Sequence, residues 1–517
     1  MSGFKVSVGV LAAWVLLGLF GHDPWKPDEA YTFGLVYHIL QSGDWVVPTL
    51  GGEPFMEKPP LYFVTAALFA KAFGWLLPLH DAARLASAFY VALTLLCAGL
   101  AARSIAAPLL LVACLGYAHH AHQLITDTAL VAGIAAGLLG FSKIHEKPGL
   151  GGLLLGTGVG IAFMSKGLLG PGLLGLTAVA LLVFPAWRTR DTLRSWGWAL
   201  LAFAPWALIW PWLLYREAPG LFNEWLWVQN LGRFTGKHEI GGTPDHWHYV
   251  KALPWFAFPA WLLAAWVVFS RRKEIFLKTE LQLPLTAFLV MFAVLSASSL
   301  ARQVYALPML VPLCLLAAAG VASAPAWLRV PLDKLAVWGA AAAGLSLWAL
   351  WFSFFGGWPA RLAAEAPGFV HRVEPLWLAL GIVTTALWIY LVRIQDLAIR
   401  FAAASLLVWG LVMTLWLPYL DYAKSYRGVI ADMQRHRPEG CVATFDLTEP
   451  QRAVFHYFAG ISKSDARGCR LLLVHTSSRK PPLVDPRWSL LWQGGRPGDE
   501  RERFWLFTSS ARPPGRP

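Results

Sequence analysis

Charge is scarce in this sequence, and its scarcity excludes more than any single motif does. Only 14% of the 517 residues are Asp, Glu, Lys or Arg, while 57% are hydrophobic. A soluble globular chain carries about 25% charged residues, so that class is ruled out. Cysteine is also sparse: there are five, with no CxxC pair and no metal-finger spacing, which removes zinc fingers and thiol redox motifs. No internal repeat with a period of about 20–50 residues is visible, which excludes solenoids and leaves an inverted-repeat carrier unsupported. Low complexity is confined to the terminal ARPPGRP. The first apolar run, residues 5–21, lacks a small-residue cleavage site and reads as a retained helix rather than a removed signal.

What is present is membrane-spanning sequence. The mean hydropathy is +0.51, and runs of about 20 mostly apolar residues recur through residue 419 with short polar interruptions. Beyond them, residues 421–517 mix charge and apolar residues, as in RGVIADMQRHRPEGCVATFDLTEPQ, and read as a small soluble domain after a transmembrane domain of residues 1–420. A net charge of +13 raises the question of nucleic acid, but its distribution answers it. Lys143 and Lys147, Arg188, Arg190 and Arg194, the group Arg271 to Lys278, Arg329 and Lys334, and Arg393 and Arg400 all fall in short loops. The positive-inside rule makes those loops cytoplasmic, so the charge reports topology and no nucleic-acid partner is implied. The intervening loops 22–60, 215–252 and 356–374, and the tail, then face outward. A simple count gives about fourteen apolar segments, which would misplace the tail. Treating residues 82–123 as one crossing plus a non-spanning or re-entrant piece leaves about thirteen crossings. It also puts Asp127, the 215–252 loop and the tail on the face that carries Asp28.

The loop after the first span is the most informative stretch: KPDEAYTFGLVYHILQSGDWVVPTLGGEPFMEKPPLYF, residues 26–63. Pro27–Asp28 signals a helix start, and Tyr31, Leu35 and Ile39 then repeat at helical spacing until Gly43. Flanked by Trp25 and Trp45, this predicts an amphipathic helix along the membrane surface with Asp28 and Glu29 in its first turn. Capping accounts for one of the acids, not for the pair together with EKPP, where Pro59 and Pro60 stiffen the approach to a second span and hold Glu57 and Lys58 at the interface. Further along, Lys166 interrupts GIAFMSKGLLGPGLL, where a charge at bilayer depth costs roughly 2.5–3.5 kcal/mol. Asp127 stands at a helix start, and the neighbouring run His119, His120 and His122 reads as structural.

The pattern PDEAY…GDWVVPTLGGEPFMEKPPLYF resembles the first loop of the C-type (GT-C) membrane glycosyltransferases. It is most similar to the bacterial 4-amino-4-deoxy-L-arabinose lipid A transferases, which are related to protein O-mannosyltransferases. TD at 126–127, FMSKG at 163–167, NLGRFTGKHE at 230–239 and RQVYALP at 302–308 fit more loosely. The resemblance implies an α-helical polytopic GT-C protein with a small C-terminal periplasmic α/β domain in the bacterial inner membrane, its site facing the periplasm among membrane lipids. It implies an inverting transfer of a sugar from a polyprenyl-phosphate (undecaprenyl-phosphate) donor to an envelope acceptor: lipid A, another glycan or a protein hydroxyl. Such a reaction develops positive charge on the sugar and negative charge on the leaving phosphate, so carboxylates and cations must face one another. Asp28 and Asp127 are the expected catalytic carboxylates, with Glu29 in support, and Lys58, Lys166, Arg302 and Tyr305 the expected donor-phosphate ligands. A family zinc site implies a divalent metal held by Glu57 with His238, or with His246 as the alternative. Ala30 departs from the family, which commonly carries arginine after the acid pair. The competing class is a membrane transporter or lipid flippase, which would set its charges near the midplane.

In the tail, CVATF and CRLLLV are strand-like runs separated by the helical EPQRAVFHYFAG. Adjacent parallel strands joined by a crossover helix would bring Cys441 and Cys469 together, and an exported domain permits the disulfide. Cys97, Cys114 and Cys314 lie in apolar spans and read as small core residues.

Overall fold

The structure, a computed structural model, describes residues 2–232, 245–298, 301–462, 468–478, 480–499 and 501–509. It is a bundle of apolar helices with a small mixed sheet at one end, and its composition makes it a multi-pass membrane protein. Among the described residues, six helices have the length and apolar character of a span. Two bent pairs have it jointly: His248–Phe256 with Ala260–Ser270, and Leu397–Val412 with Leu417–Lys424.

The chain begins with α1 (Ser2–Leu16) and α2 (Asp28–Ser42), followed by a short hairpin of β1 (Thr49–Leu50) and β2 (Glu53–Pro54), then α3 (Leu61–Phe73) and α4 (Leu79–Ala102). The helix expected along the membrane surface forms as α2, but it is not amphipathic: residues 29–36 are buried without a break, because the tail packs on it as well as the bundle. Its acids occupy the first turn, and Gly43 closes it in the left-handed region at φ 72°, its N–H donating to the Ile39 carbonyl at 3.0 Å. Tyr31, Leu35 and Ile39 are all buried.

Two segments differ from the expectation. α3 does not leave the carboxylate face: it begins just after Lys58, which contacts Tyr31 of α2, and ends beside the start of α4, where Asp81 accepts a hydrogen bond from the Gly21 N–H at 3.1 Å. Its 13 residues span about 20 Å, short of the roughly 30 Å apolar layer. Conversely, α5 (Ala106–Ala113) and α6 (Leu115–His120) together carry the chain across the bundle. They start beside Arg103, which pairs with Glu146 at the basic-loop end, and finish with His120 lining a cavity shared with Asp28 and Arg302. α5–α6 lies within residues 82–123, to which the sidedness of the loops alone assigns one crossing plus a non-spanning or re-entrant piece. It is sufficient because it is enclosed by other helices, with Ala107 to Ala113 all buried, and does not have to match lipid on its own.

Next come α7 (Thr126–Lys143) and α8 (Pro148–Lys166), which pack backbone to backbone. A Cβ at Gly133 would lie 2.6 Å from the Ala162 nitrogen, and one at Gly140 2.5 Å from that of Leu155. Small residues at helical spacing permit this approach. It sets the first turn of α7, with Asp127, beside the last residue of α8, Lys166.

The tail forms a four-stranded sheet in the order β3 (Val442–Phe445), β4 (Leu471–Thr476), β6 (Arg503–Ser509), β5 (Trp488–Gly494). β3 and β4 are parallel, and between them the helix Glu449–Ala459 starts with a Thr448/Gln451 capping box. The other pairings are antiparallel. Cys441 and Cys469, each next to a parallel strand, are joined by a disulfide with their Cα atoms 5.2 Å apart. The helix Glu449–Ala459 packs on α2: a Cβ at Gly34 would meet that of Ala453 at 2.6 Å.

A cysteine at Leu483, fully exposed in the tail, and one at Lys273, exposed in a basic loop, test the sidedness. With the tail on the outward face that the basic loops imply, an impermeant maleimide added to intact spheroplasts is expected to label Leu483→Cys and spare Lys273→Cys. The opposite pattern would invert the topology.

Candidate functional site

The site is built outward from Arg84, fully buried in α4. Its Nε donates to Glu29 Oε1 at 3.1 Å and its Nη1 to Asp81 Oδ1 at 2.6 Å and the His22 carbonyl at 2.7 Å, while Nη2 donates to the Asp23 carbonyl at 3.0 Å. Glu29 Oε1 also accepts from the Leu124 N–H at 3.0 Å. Burial works to raise the Glu29 carboxyl, but the Arg84 charge outweighs it and keeps the group ionised. Burial, and then the same guanidinium, pushes His22 down to about 4, so it is neutral. Glu29 is thus turned into the protein, and its neighbour in the first turn, Asp28, is left to face the cavity.

Asp28 Oδ1 accepts from the Tyr31 hydroxyl at 2.8 Å, and Oδ2 lies 3.4 Å from Arg302 Nη2. Burial raises its carboxyl, yet the Lys58 and Arg302 charges and the Tyr31 hydrogen bond prevail and hold it below its ordinary value. Lys58, only 7% exposed, donates to the Tyr31 hydroxyl. Its ammonium is drawn below the usual lysine range by burial and then by the like charge of Lys166. Lys166 Nζ is 2.9 Å from Asp127 Oδ1 and 4.7 Å from the Tyr305 ring centre, and the Arg302 guanidinium is 5.9 Å from the same ring. Asp28, Lys58, Asp127, Lys166, Arg302 and Tyr305, drawn from five separate stretches of chain, therefore converge. The cavity of about 470 Å³ beside Asp28 is lined by Arg302, Lys424, Trp25, His119 and His120 among others.

Three supports were not singled out from the sequence. Tyr31 was read only as part of an apolar stripe. Arg84 sits in the apolar run ARLASAFY, and an arginine inside a span is itself a signal. Asn230 accepts from the Leu168 N–H at 3.3 Å and donates to the Trp225 carbonyl at 2.9 Å, tying the turn after Lys166 to the helix Glu224–Gly232. That turn uses Gly167 at φ 61°.

For the metal, His238 lies outside the described residues. His246 is exposed, with Nδ1 at 2.9 Å from the Ser296 carbonyl, and no cluster of three or more His, Cys, Asp or Glu fit for a metal occurs among the described residues. The described residues do not assemble a zinc site around Glu57.

With the geometry in place, comparison with known proteins is decisive for the fold. The structure superposes on ArnT from Cupriavidus metallidurans bound to undecaprenyl phosphate, with a TM-score of 0.70 over 97% of each chain at 16% identity. The apo form of that protein matches with a TM-score of 0.70 over 98% of each chain. The chain has the ArnT fold. In sequence it is 30% identical over 342 residues to an undecaprenyl phosphate-alpha-4-amino-4-deoxy-L-arabinose arabinosyl transferase of Serratia proteamaculans, covering 62% of this chain and 59% of that protein. It is 29% identical over 348 residues to one of Pseudomonas savastanoi, covering 61% of each. The chain thus spans about three fifths of the length of the curated relatives it matches, although the ArnT fold extends over nearly all of it. No family model matches.

Replacing Arg84 by methionine, which keeps length and removes charge, leaves the buried Glu29 and Asp81 without their countercharge, each keeping only backbone N–H donors. We expect a loss of about 3–5 kcal/mol of stability, read as a lower melting temperature in detergent. Unchanged melting would show that the network carries no stability.

Proposed function

We propose that this chain is an inverting glycosyltransferase of the bacterial inner membrane. It moves a sugar from an undecaprenyl-phosphate donor to an envelope acceptor such as lipid A, on the periplasmic face. The observation that carries the reading is the meeting of two mostly buried ammonium groups, Lys58 and Lys166, with Arg302 next to the ionised Asp28. Lys166 is paired with Asp127 and Arg302 with Asp28, but among the described residues Lys58 has no ion pair, so the group keeps an uncompensated cation, and a polyprenyl phosphate is an anion with a membrane-soluble tail that balances it.

In this reading the bond from the anomeric carbon to the donor phosphate oxygen breaks with its electron pair passing to the phosphate. Lys58, Lys166 and Arg302 stabilise the charge that develops there, and Tyr305 walls the phosphate in. The acceptor oxygen attacks from the opposite face of the sugar, which inverts the anomeric centre. Asp28 takes its proton if it is a hydroxyl, or orients it if it is an already ionised phosphate. Asp127 holds Lys166 in place, and Glu29 supports Asp28 through Arg84. Lys424 and Arg302 in the wall of the adjoining cavity favour an anionic acceptor. Counting α3 out and α5–α6 in gives thirteen crossings, with residues 1–420 as the transmembrane catalytic domain and 421–517 as the periplasmic domain. A transporter or flippase is disfavoured because these charges stand at helix ends on one side: Asp28 opens α2, Asp127 lies in the first turn of α7, and Lys166 closes α8.

Mass spectrometry of envelope lipids and glycans from a deletion strain tests the reading. A sugar-sized mass is expected to disappear, to return with the wild-type gene, and to stay absent with Asp28→Asn. Near wild-type turnover by purified, folded Asp28→Asn protein would sink the role of that carboxylate. Lys58→Ala and Lys166→Ala are each expected to weaken undecaprenyl phosphate binding about tenfold, the value of one charge-assisted hydrogen bond. Unchanged binding in both would mark the lysines as mere interface anchors.

The pH dependence has a definite sign. Asp28 is held below its ordinary value of about 3.9, so its contribution to rate and stability is complete above that pH and is lost only as pH falls through the depressed value. Lys58 is shifted down, so donor binding is expected to weaken as pH rises, before the ordinary lysine value of about 10.4 is reached. An acid limb that lies above the ordinary aspartate value and moves in Asp28→Glu protein would contradict the depressed Asp28 carboxyl.

A further inference from the structure

Asp28 and Lys58 face each other across a single atom, the Tyr31 hydroxyl oxygen. That hydroxyl donates its one proton to Asp28 Oδ1 at 2.8 Å and accepts from the Lys58 ammonium with a lone pair. Among the described residues, Lys58 has no other hydrogen-bond partner and no ion pair, and the only ion pair of Asp28 is with Arg302. A carboxylate and a buried ammonium this near attract each other, as Glu57 and Asp127 also attract Lys58, and without an atom between them Asp28 and Lys58 are free to pair directly. Tyr31 is held firmly enough to prevent this. It is 7% exposed, sits one turn from Asp28 on the same helix, and stacks on Phe55 at 5.7 Å between ring centres. Burial, and then the Asp28 charge, raises its phenol well above the ordinary value, so the proton stays on the oxygen and the direction of both bonds is fixed.

We propose that Tyr31 is a positioning residue for the transfer: its hydroxyl spaces Asp28 from Lys58, so that the carboxylate stays available to the acceptor and the ammonium to the leaving phosphate. The inference rests on the roles proposed above for Asp28 and Lys58. Tyr31 itself neither gains nor loses a proton. The Lys58 ammonium has three N–H donors, and giving one to a neutral oxygen leaves two for the phosphate with the positive charge undiminished. A direct pair with Asp28 would neutralise both groups and turn the ammonium from the phosphate.

Tyr31→Phe removes the hydroxyl and keeps the ring on Phe55. Binding of undecaprenyl phosphate to the full-length protein in nanodiscs is expected to weaken about tenfold, as Lys58 swings onto Asp28. Asp28→Asn added to Tyr31→Phe is expected to restore binding to near the wild-type level, because the competing charge is gone. A structural defect at Tyr31 would not be repaired by a second change at Asp28, so this reversal separates positioning from packing. Thermal melting checks that each variant is folded. Should Tyr31→Phe not fold, Tyr31→Leu removes the same hydroxyl and is read by the same criterion. Unaltered binding in the single variant, or a loss that Asp28→Asn leaves in place, overturns the inference while the transferase reading stands. Failure of the wild-type protein to bind undecaprenyl phosphate overturns that reading, and the inference falls with it.

Discussion

A guanidinium buried without water must be neutralised and have its donors filled, and Arg84 meets that demand in a way that shapes everything around it. Its five N–H groups have to find acceptors inside an apolar bundle. They find Glu29 and Asp81 as charges and the carbonyls of His22 and Asp23 as dipoles. These partners come from the loop after α1, the first turn of α2 and the start of α4. One side chain therefore fixes where the extramembrane loop leaves the bundle and how α2 is rotated about its axis. With Glu29 committed inward, helical geometry leaves Asp28 directed at the cavity, Tyr31 one turn further along the same side, and Lys58 within reach of Tyr31. The cost of burying an arginine is offset by these ion pairs and hydrogen bonds, and they set the orientation of the helix that carries the proposed base.

The tail secures the same helix from the other side. Arg427 pairs with Asp23, its Nε donating to Oδ2 at 3.0 Å, and Ser425 Oγ donates to Oδ2 of the same aspartate at 2.5 Å. Lys26 bonds Asp499 at 2.7 Å, and Arg452 pairs with Glu53 of the small hairpin. The disulfide between Cys441 and Cys469 closes the loop that contains the helix Glu449–Ala459, which lies against α2. A loop of nearly forty residues that would otherwise be a mobile connection is thus held between a membrane bundle and a covalently closed sheet. Preorganisation of this kind is what a reaction driven by fixed charges requires.

Much of this was legible in the sequence, for reasons that can be named. The basic loops set the expected sidedness because each is short and strongly one-signed. The acid pair and EKPP stood out because charges between apolar runs are expensive, and the parallel strands of the tail showed as apolar runs on either side of a capped helix. The errors came where length and composition cease to discriminate. α3 is as apolar as a span but too short to be one, and α5–α6 is broken at Cys114 yet enclosed, so only the three-dimensional neighbours reveal which of the two crosses. Tyr31 was hidden because its ring belongs to the buried stripe while its hydroxyl does not. Arg84 went unnoticed because its partners are separated from it by up to 62 residues. Asn230 opens the flagged stretch NLGRFTGKHE, but its bond to the turn after Lys166 spans 62 residues and nothing local marks it.

The central claim is that Lys58, Lys166 and Arg302 form one phosphate cradle beside Asp28, and a structure of the protein in nanodiscs with undecaprenyl phosphate tests it most directly. The account predicts the phosphate oxygens at about 3 Å from the Lys58 and Lys166 ammonium groups, with the polyprenyl chain running into the bundle and Asp28 on the open side of the phosphate. A phosphate bound elsewhere, with Lys58 still engaged only with Tyr31 and Lys166 only with Asp127, would contradict it.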